Sequence, residues 1–242
     1  MEHSNIVGVA ADKCCGLTEW GAANTAVTLS GQTVCAQILA PLQSLTQRAA
    51  QQGFELCVAS GFRSFERQLV IWNAKVEGLR PVLDDQNRVV NMASLNELQR
   101  IVAIMRFSAL PGASRHHWGS DIDIYDRAAL TKGASVQLLP SESAVGGPFY
   151  NFHQWLDVLL QRGDCEGFYR PYNLDRGGVA PEPWHFSYAP MAANYQSSLT
   201  LQVLFEVIDS ADIGFKATIL DNLPYLFQRF VALPPPPLMR IE

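Results

Sequence analysis

Residues 114–126, SRHHWGSDIDIYD, restrict the fold of this chain more than any other stretch. Asp121, Ile122, Asp123 and Ile124 alternate strictly, and a period of two marks a half-buried strand with the aspartates on one face and the isoleucines on the other. Gly119 permits a tight backbone turn into that strand. Asp126 falls past the strand and off register, and is expected at the surface. Two carboxylates on one strand face, preceded by His116 and His117, belong either to a solvated polar surface or to a metal site; the residues alone leave both open.

Around this strand the chain reads as mixed helix and strand. Val34, Ile38, Leu42, Leu45 and Ala49 recur at helical spacing over 34–52, with Gly53 ending the run and Pro41 implying a kink or a late start. FELCVAS at 54–60 is a short apolar strand, and a helix follows over 65–75. Residues 81–92 resemble a surface hairpin or loop. Ser94 and Glu97 form an S-x-x-E capping box ahead of LQRIVAIMRF. Residues 126–147 read as loop. A helix is expected over 148–162, with Pro148 near its first turn and Gly163 past its end. A last strand is expected near 184–187. Beyond Tyr195 come helices with Leu201, Leu204, Phe205 and Ile208 on one face, then an extended tail imposed by PPPP at 234–237. The elements lack a regular βαβ alternation, which favours an α+β fold.

Composition narrows the function. A formal net charge of −5 over 242 residues provides no basic footprint for nucleic acid or anionic lipid. No apolar run approaches the roughly 20 residues of a membrane span. The N-terminus lacks the basic start and apolar core of a secretory signal, so the protein is expected either to stay in the cytoplasm or to begin after processing. Five cysteines leave at least one without an intramolecular partner. Cys57 is expected to be buried in its strand, and Cys14–Cys15 lack the C-x-x-C spacing of a metal pair.

A catalytic zinc site needs three His, Asp, Glu or Cys ligands, an open position for water and a nearby carboxylate. Of five histidines, His3 lies in the irregular start and His153 is expected as a packed or surface residue within its helix. His116, His117 and His185 remain. His116 precedes Asp123 by seven residues, and Glu182-Pro183-Trp184-His185 places a carboxylate beside the third histidine, with Pro183 biasing Glu182 to an extended conformation.

Three motifs then occur in order: SGFRS at 60–64 followed by Gln68; Ser114, His116, Gly119 and Asp123 in an S-x-H-x-x-G-x-x-x-D pattern; and Glu182, Trp184 and His185 as E-x-W-H. Together they resemble peptidase family M15B, the D-alanyl-D-alanine carboxypeptidases of the VanY/LdcB type, in a clan that includes lysostaphin-type peptidases and the hedgehog signalling domain. The resemblance spans residues 30–190. It implies one Zn²⁺ per chain held by His116, Asp123 and His185. Glu182 would be the general base, and Arg63 would stabilise the oxyanion with its fixed fork of donors. Ser114 would help bind the substrate's terminal carboxylate, Gln68 would bind substrate, and Trp118 and Trp184 would shape the pocket. Where the family motif has a small residue two positions before the aspartate, this chain has Asp121, which shares a strand face with Asp123 and would compete as ligand or support one.

The fold implied is α+β: a small antiparallel sheet carrying a zinc site, surrounded by helices. Residues 1–29 would be an irregular lead-in, 30–195 the peptidase domain and 196–242 a helical extension with a Pro-rich tail, dispensable for chemistry because every motif precedes it. The expected activity is hydrolysis of the terminal D-alanine from peptidoglycan stem peptides. The alternatives are an endopeptidase cutting within those peptides and a non-catalytic, zinc-stabilised recognition domain.

Overall fold

The alternating segment forms β4 (Asp121–Asp126), an inner strand of a four-stranded antiparallel sheet. The computed structural model describes residues 26–29 and 31–236, so His3, Cys14 and Cys15 lie outside the described residues. β3 (Leu56–Ser60) pairs with one edge of β4, setting Ser60 opposite Asp123 across a register shift after Val58. β6 (His185–Tyr188) pairs with the other edge, setting Asp123 opposite His185 and Asp121 opposite Ser187. A two-residue β5 (Phe168–Tyr169) completes the order β3-β4-β6-β5. The sheet is the small antiparallel one expected for an α+β fold.

One expectation about β4 fails. The strand is buried on both faces: Ile122 and Ile124 enter the apolar core, and Asp121 and Asp123 are buried as well. Alternation reports the polarity of a face, and here the polar face is covered by protein rather than by water. Asp126 is also buried. It is the last residue of β4, and its carboxylate accepts from the backbone N–H groups of Glu55 and Ala128.

The helices begin where local chemistry lets them. Ala26–Leu29, within the expected lead-in, is a strand, β1, paired with β2 (Gln32–Cys35). Val34 therefore sits in a strand, and α1 starts late, at Leu39–Gln51, with Pro41 in its first turn where a missing N–H costs nothing. Leu42, Leu45 and Ala49 form its buried stripe. α2 (Phe65–Val76) is capped by Ser64, whose Oγ accepts from Arg67 N, and buries Gln68 and Trp72. α3 (Glu97–Met105) is capped not by Ser94 but by Asn96, which exchanges hydrogen bonds with Gln99. Ser94 instead ends a 3-10 turn, because Leu95 is extended and separates it from the helix. Leu83 and Val89 form the single bridge of the 81–92 hairpin.

Residues 126–147 include a short helix, α4 (Pro140–Ser143), and α5 (Tyr150–Arg162) ends at Gly163 in the left-handed region. After β6 come α6 (Ala189–Ser198), α7 (Leu201–Ser210), α8 (Lys216–Asp221) and α9 (Leu223–Leu226). The buried stripe of α7 is Leu204, Val207 and Ile208; Leu201 and Phe205 are exposed, so the helix is rotated from the expected face. These helices share one apolar cluster with the sheet. Leu204, Ile208, Ile219, Leu226 and Phe230 lie in the same core as Trp72, Ile124 and Phe152, and the Trp72 indole donates to Gly214 O. Residues 232–236 run without helix, held where Gln196 Nε2 donates to the carbonyls of Leu233 and Pro234. Cys35, Cys57 and Cys165 are buried. Among the described residues no helix is long and apolar enough to cross a membrane.

Candidate metal centre and catalytic cleft

The loop after β3 and the turn before β4 meet at close range. Gly61 of SGFRS lies so near β2 that a Cβ on it would sit 2.1 Å from Thr33 O, and only glycine fits there. Its carbonyl accepts from His116 Nδ1 at 2.9 Å. Arg63 N in turn donates to His116 O at 3.1 Å. His116 stands on a 3-10 turn, Arg115–Trp118, closed by Gly119 at φ 67°, the left-handed turn that leads into β4. With Nδ1 donating to Gly61, Nε2 of His116 faces Asp123 Oδ2 at 3.3 Å.

His185 is oriented by the same logic. Its Nε2 donates to Asp121 Oδ1 at 2.9 Å, which leaves Nδ1 facing Asp123 Oδ1 at 3.3 Å and Glu182 Oε2 at 3.4 Å. A tight turn carries Glu182: His185 N donates to Glu182 O, and Glu182 N donates to Tyr172 O. Tyr172 packs its ring edge-on against His185 at 5.0 Å.

His116, Asp123 and His185 thus each offer a ligand atom, all three within 4.8 Å of one another and all buried. Ligands on a tetrahedral zinc with bonds of about 2.0–2.1 Å lie roughly 3.3 Å apart, the size of the separations from His116 to Asp123 Oδ2 and from His185 to Asp123 Oδ1. Asp123 Oδ1 is buried and takes no aligned hydrogen bond from the protein. A polar atom in that condition costs free energy unless something else partners it. Burial pushes the Asp123 carboxyl up, but His116 and His185 outweigh it and hold it well below the usual carboxylate range. Burial likewise opposes a charge on His185, yet Asp121, Asp123 and Glu182 raise its imidazole well above its ordinary value. Carboxylates that favour a proton at that nitrogen favour a divalent cation there for the same electrostatic reason. The donor set fits zinc.

Asp121 is no competing ligand. Its Oδ1 is engaged by His185 and by Arg115 Nε at 2.8 Å, and its Oδ2 by the hydroxyls of Ser120 and Ser187. Burial raises this carboxyl, but the Arg115 charge and these hydrogen bonds prevail and hold it at about 2. Asp121 therefore fixes the His185 tautomer.

A cleft of about 240 Å³ opens onto the donor set, and Arg63, Ser114, Glu182 and Trp184 line it as expected. Two expected pocket residues do not. Gln68 is fully buried, accepting from Arg63 Nη1 at 3.0 Å and donating to Ala109 O, so it aims Arg63 instead of lining the cleft. Trp118 turns into the core, stacked on Tyr195 and beneath the Arg115 guanidinium, because the apolar ring finds a covered surface there. Ser60 Oγ accepts from Arg63 Nη2 at 3.1 Å. Burial lowers the Arg63 pKa, with Asp123 and Glu182 opposing.

His117 ties the motifs together without reaching the donor set. Its Nδ1 donates to Arg63 O at 2.6 Å and its Nε2 accepts from Gly112 N, and burial, with the Arg63 charge adding to it, pushes its pKa down to about 4. His153 is packed, in α5. Sequence reasoning passed over Arg115, although it stands inside the S-x-H motif. It also missed Tyr172, Ser108 and Leu138, which line the cleft from loops with no motif.

A family model described as VanY, D-alanyl-D-alanine carboxypeptidase, matches residues 31–191. An uncharacterized protein of Haemophilus influenzae is 32% identical over 124 residues, covering 50% of this chain and 92% of that protein. A D-alanyl-D-alanine carboxypeptidase of Enterococcus faecalis is 26% identical over 164 residues, which are 68% of this chain and 51% of that one. A solved structure of a mutant vancomycin resistance D,D-pentapeptidase VanY in complex with Zn(II) is 27% identical, with a TM-score of 0.49, covering 75% of this chain and 89% of that one.

Proposed function

The chain belongs to the VanY family of D-alanyl-D-alanine carboxypeptidases, and on that premise we propose that it is a zinc-dependent carboxypeptidase releasing the terminal D-alanine of peptidoglycan stem peptides. The observation that carries this reading is convergence. His116, Asp123 and His185 come together within 4.8 Å, with Glu182 Oε2 3.4 Å from His185 Nδ1 and Arg63 in the same cleft.

His116 through Nε2, His185 through Nδ1 and Asp123 through its carboxylate would hold one zinc ion. When bound, the ion supplies Lewis acidity and brings water within reach of deprotonation near neutral pH. Glu182 is not needed as a ligand. Its carboxylate takes the proton of the attacking water and returns it to the leaving amine nitrogen of D-alanine. Arg63, braced by Gln68 and Ser60, turns its remaining N–H donors to the scissile carbonyl oxygen as negative charge develops there. Bracing matters because a donor fixed beforehand needs no reorganisation in the transition state. Ser114, buried on the cleft wall, helps bind the substrate's terminal carboxylate, and Trp184 walls the pocket.

The test is Glu182→Gln with tri-, tetra- and pentapeptide stems, products being weighed. The variant keeps its zinc and fold, while turnover falls about 10²–10⁴-fold, the contribution of a positioned base. A zinc-loaded wild type that cleaves no stem peptide would overturn the enzyme and favour a binding module.

A further inference from the structure

We propose that Ser108 and Lys75 select substrates ending in a free carboxylate, Ser108 by donating its hydroxyl proton to that carboxylate and Lys75 by acting through Ser108 to balance its charge. The proposal rests on the carboxypeptidase reading and adds a specificity determinant to it.

Ser108 follows α3 and forms part of the cleft wall with Phe107 and Ala109. Lys75, in the last turn of α2, donates from Nζ to Ser108 Oγ at 2.7 Å. An ammonium has no lone pair, so the Ser108 proton cannot point back at Lys75. Among the described residues the Ser108 hydroxyl donates no hydrogen bond, and Ser108 lines the cleft. Its proton is therefore free to rotate toward a ligand in the cleft.

The charges lead to the same place. Arg115 is neutralised by Asp121. Asp123 and Glu182 face the metal donor set. Among the described residues the Arg63 side chain donates only to the neutral Gln68 and Ser60 side chains. Lys75 is partly buried and no carboxylate among the described residues lies within ion-pair distance of it. A sequestered cation without a counter-ion is costly unless a ligand supplies the missing charge. Burial, then the Arg80 and Arg63 charges, push the Lys75 pKa down to about 8, while Glu182 opposes; the amine still carries its proton at neutral pH. The reaction brings two negative charges into the cleft, the developing oxyanion and the terminal carboxylate. Arg63 serves the first, and Lys75 is the cation left for the second.

The test uses calorimetric binding of D-alanyl-D-alanine and of its carboxamide to zinc-loaded Glu182→Gln protein, alone and combined with Ser108→Ala, Lys75→Met or Lys75→Arg. The carboxylate-to-amide preference should fall about 10-fold or more with Ser108→Ala and Lys75→Met, the usual loss for a charge-assisted hydrogen bond, and recover in part with Lys75→Arg. Zinc content should not change. A preference unaltered in all three variants, or both ligands weakened equally, overturns the proposal, the second result assigning the pair a structural role. Because binding is read in a protein without its base, failure of catalysis in the wild type would count against the proposed function and leave this result standing.

Discussion

Replacing Asp121 or Asp123 by asparagine separates two roles that the sequence makes look equivalent. Asp121 is fully buried, and its Oδ1 is the anionic partner of Arg115, itself 4% exposed, at 2.8 Å. In Asp121→Asn the two serine hydroxyls can rotate to meet the new amide, so shape is kept and charge is lost. The Arg115 guanidinium then stays buried beside Tyr169, Ser187 and Gln196, none of them anionic. Breaking a buried pair from one side costs about 3–5 kcal/mol. The same change weakens the anchor of His185 Nε2, which lowers metal affinity about 10–100-fold, or roughly 1.4–2.7 kcal/mol. Asp121→Asn should therefore act mainly on the fold. Asp123→Asn should act mainly on the metal, because Asp123 Oδ1 has no aligned protein hydrogen bond to lose. Urea unfolding of chelator-treated protein measures the first effect, and competition with a chromogenic zinc chelator the second. If metal-free Asp121→Asn unfolds within about 1 kcal/mol of wild type, below the range for a broken buried pair, the reasoning is refuted. It is refuted equally if Asp123→Asn holds zinc better than Asp121→Asn.

Burial, and then the nearby Arg170 charge, hold the His153 pKa down at about 3. The unfolded chain takes up that proton near pH 6.5 and the native one does not, so stability is unaffected above pH 6.5 and falls by about 1.4 kcal/mol per pH unit as pH drops toward 3. His153→Gln should remove one proton's worth of that slope in urea melts at a series of pH values, and an unchanged slope would exclude this histidine as its source. A Cβ at Gly178 would lie 1.9 Å from Arg229 O, and Arg229 Nε donates to Gly177 O at 2.6 Å. Gly178→Ala should thus cost about 1–3 kcal/mol and displace the loop leading to Glu182, lowering turnover with zinc retained; wild-type turnover would show that this contact does not position the base. Cutting the chain after residue 195 removes Leu204, Ile208 and Phe230 from the core and the partner of the Trp72 indole. That fragment should lose its cooperative urea transition, and a well-folded fragment would make the extension a separate unit.

The sequence by itself determined the parts that depend on short spacing. The period of Asp121 to Ile124, the glycine before it and the His116–Asp123 interval were readable because a strand and its turn are local structures, and so were Glu182 and His185, three residues apart. The β3 strand, the 65–76 helix and the Gly163 stop were legible for the same reason. What the sequence left open depended on register and packing between distant segments. Whether Asp121 or Asp123 faces the metal is decided by β4–β6 pairing, which sets Asp123 opposite His185 and Asp121 opposite Ser187 and beside Arg115. Gln68 and Trp118 were placed at the pocket by the resemblance, and a motif position carries no side-chain direction; α2 turns one beneath Arg63, and the stack with Tyr195 draws the other into the core. The lysine behind Ser108 and the helices after residue 195 carry no motif at all. Only closure of the tertiary structure, which brings residues more than thirty positions apart within hydrogen-bonding distance, gave them their places.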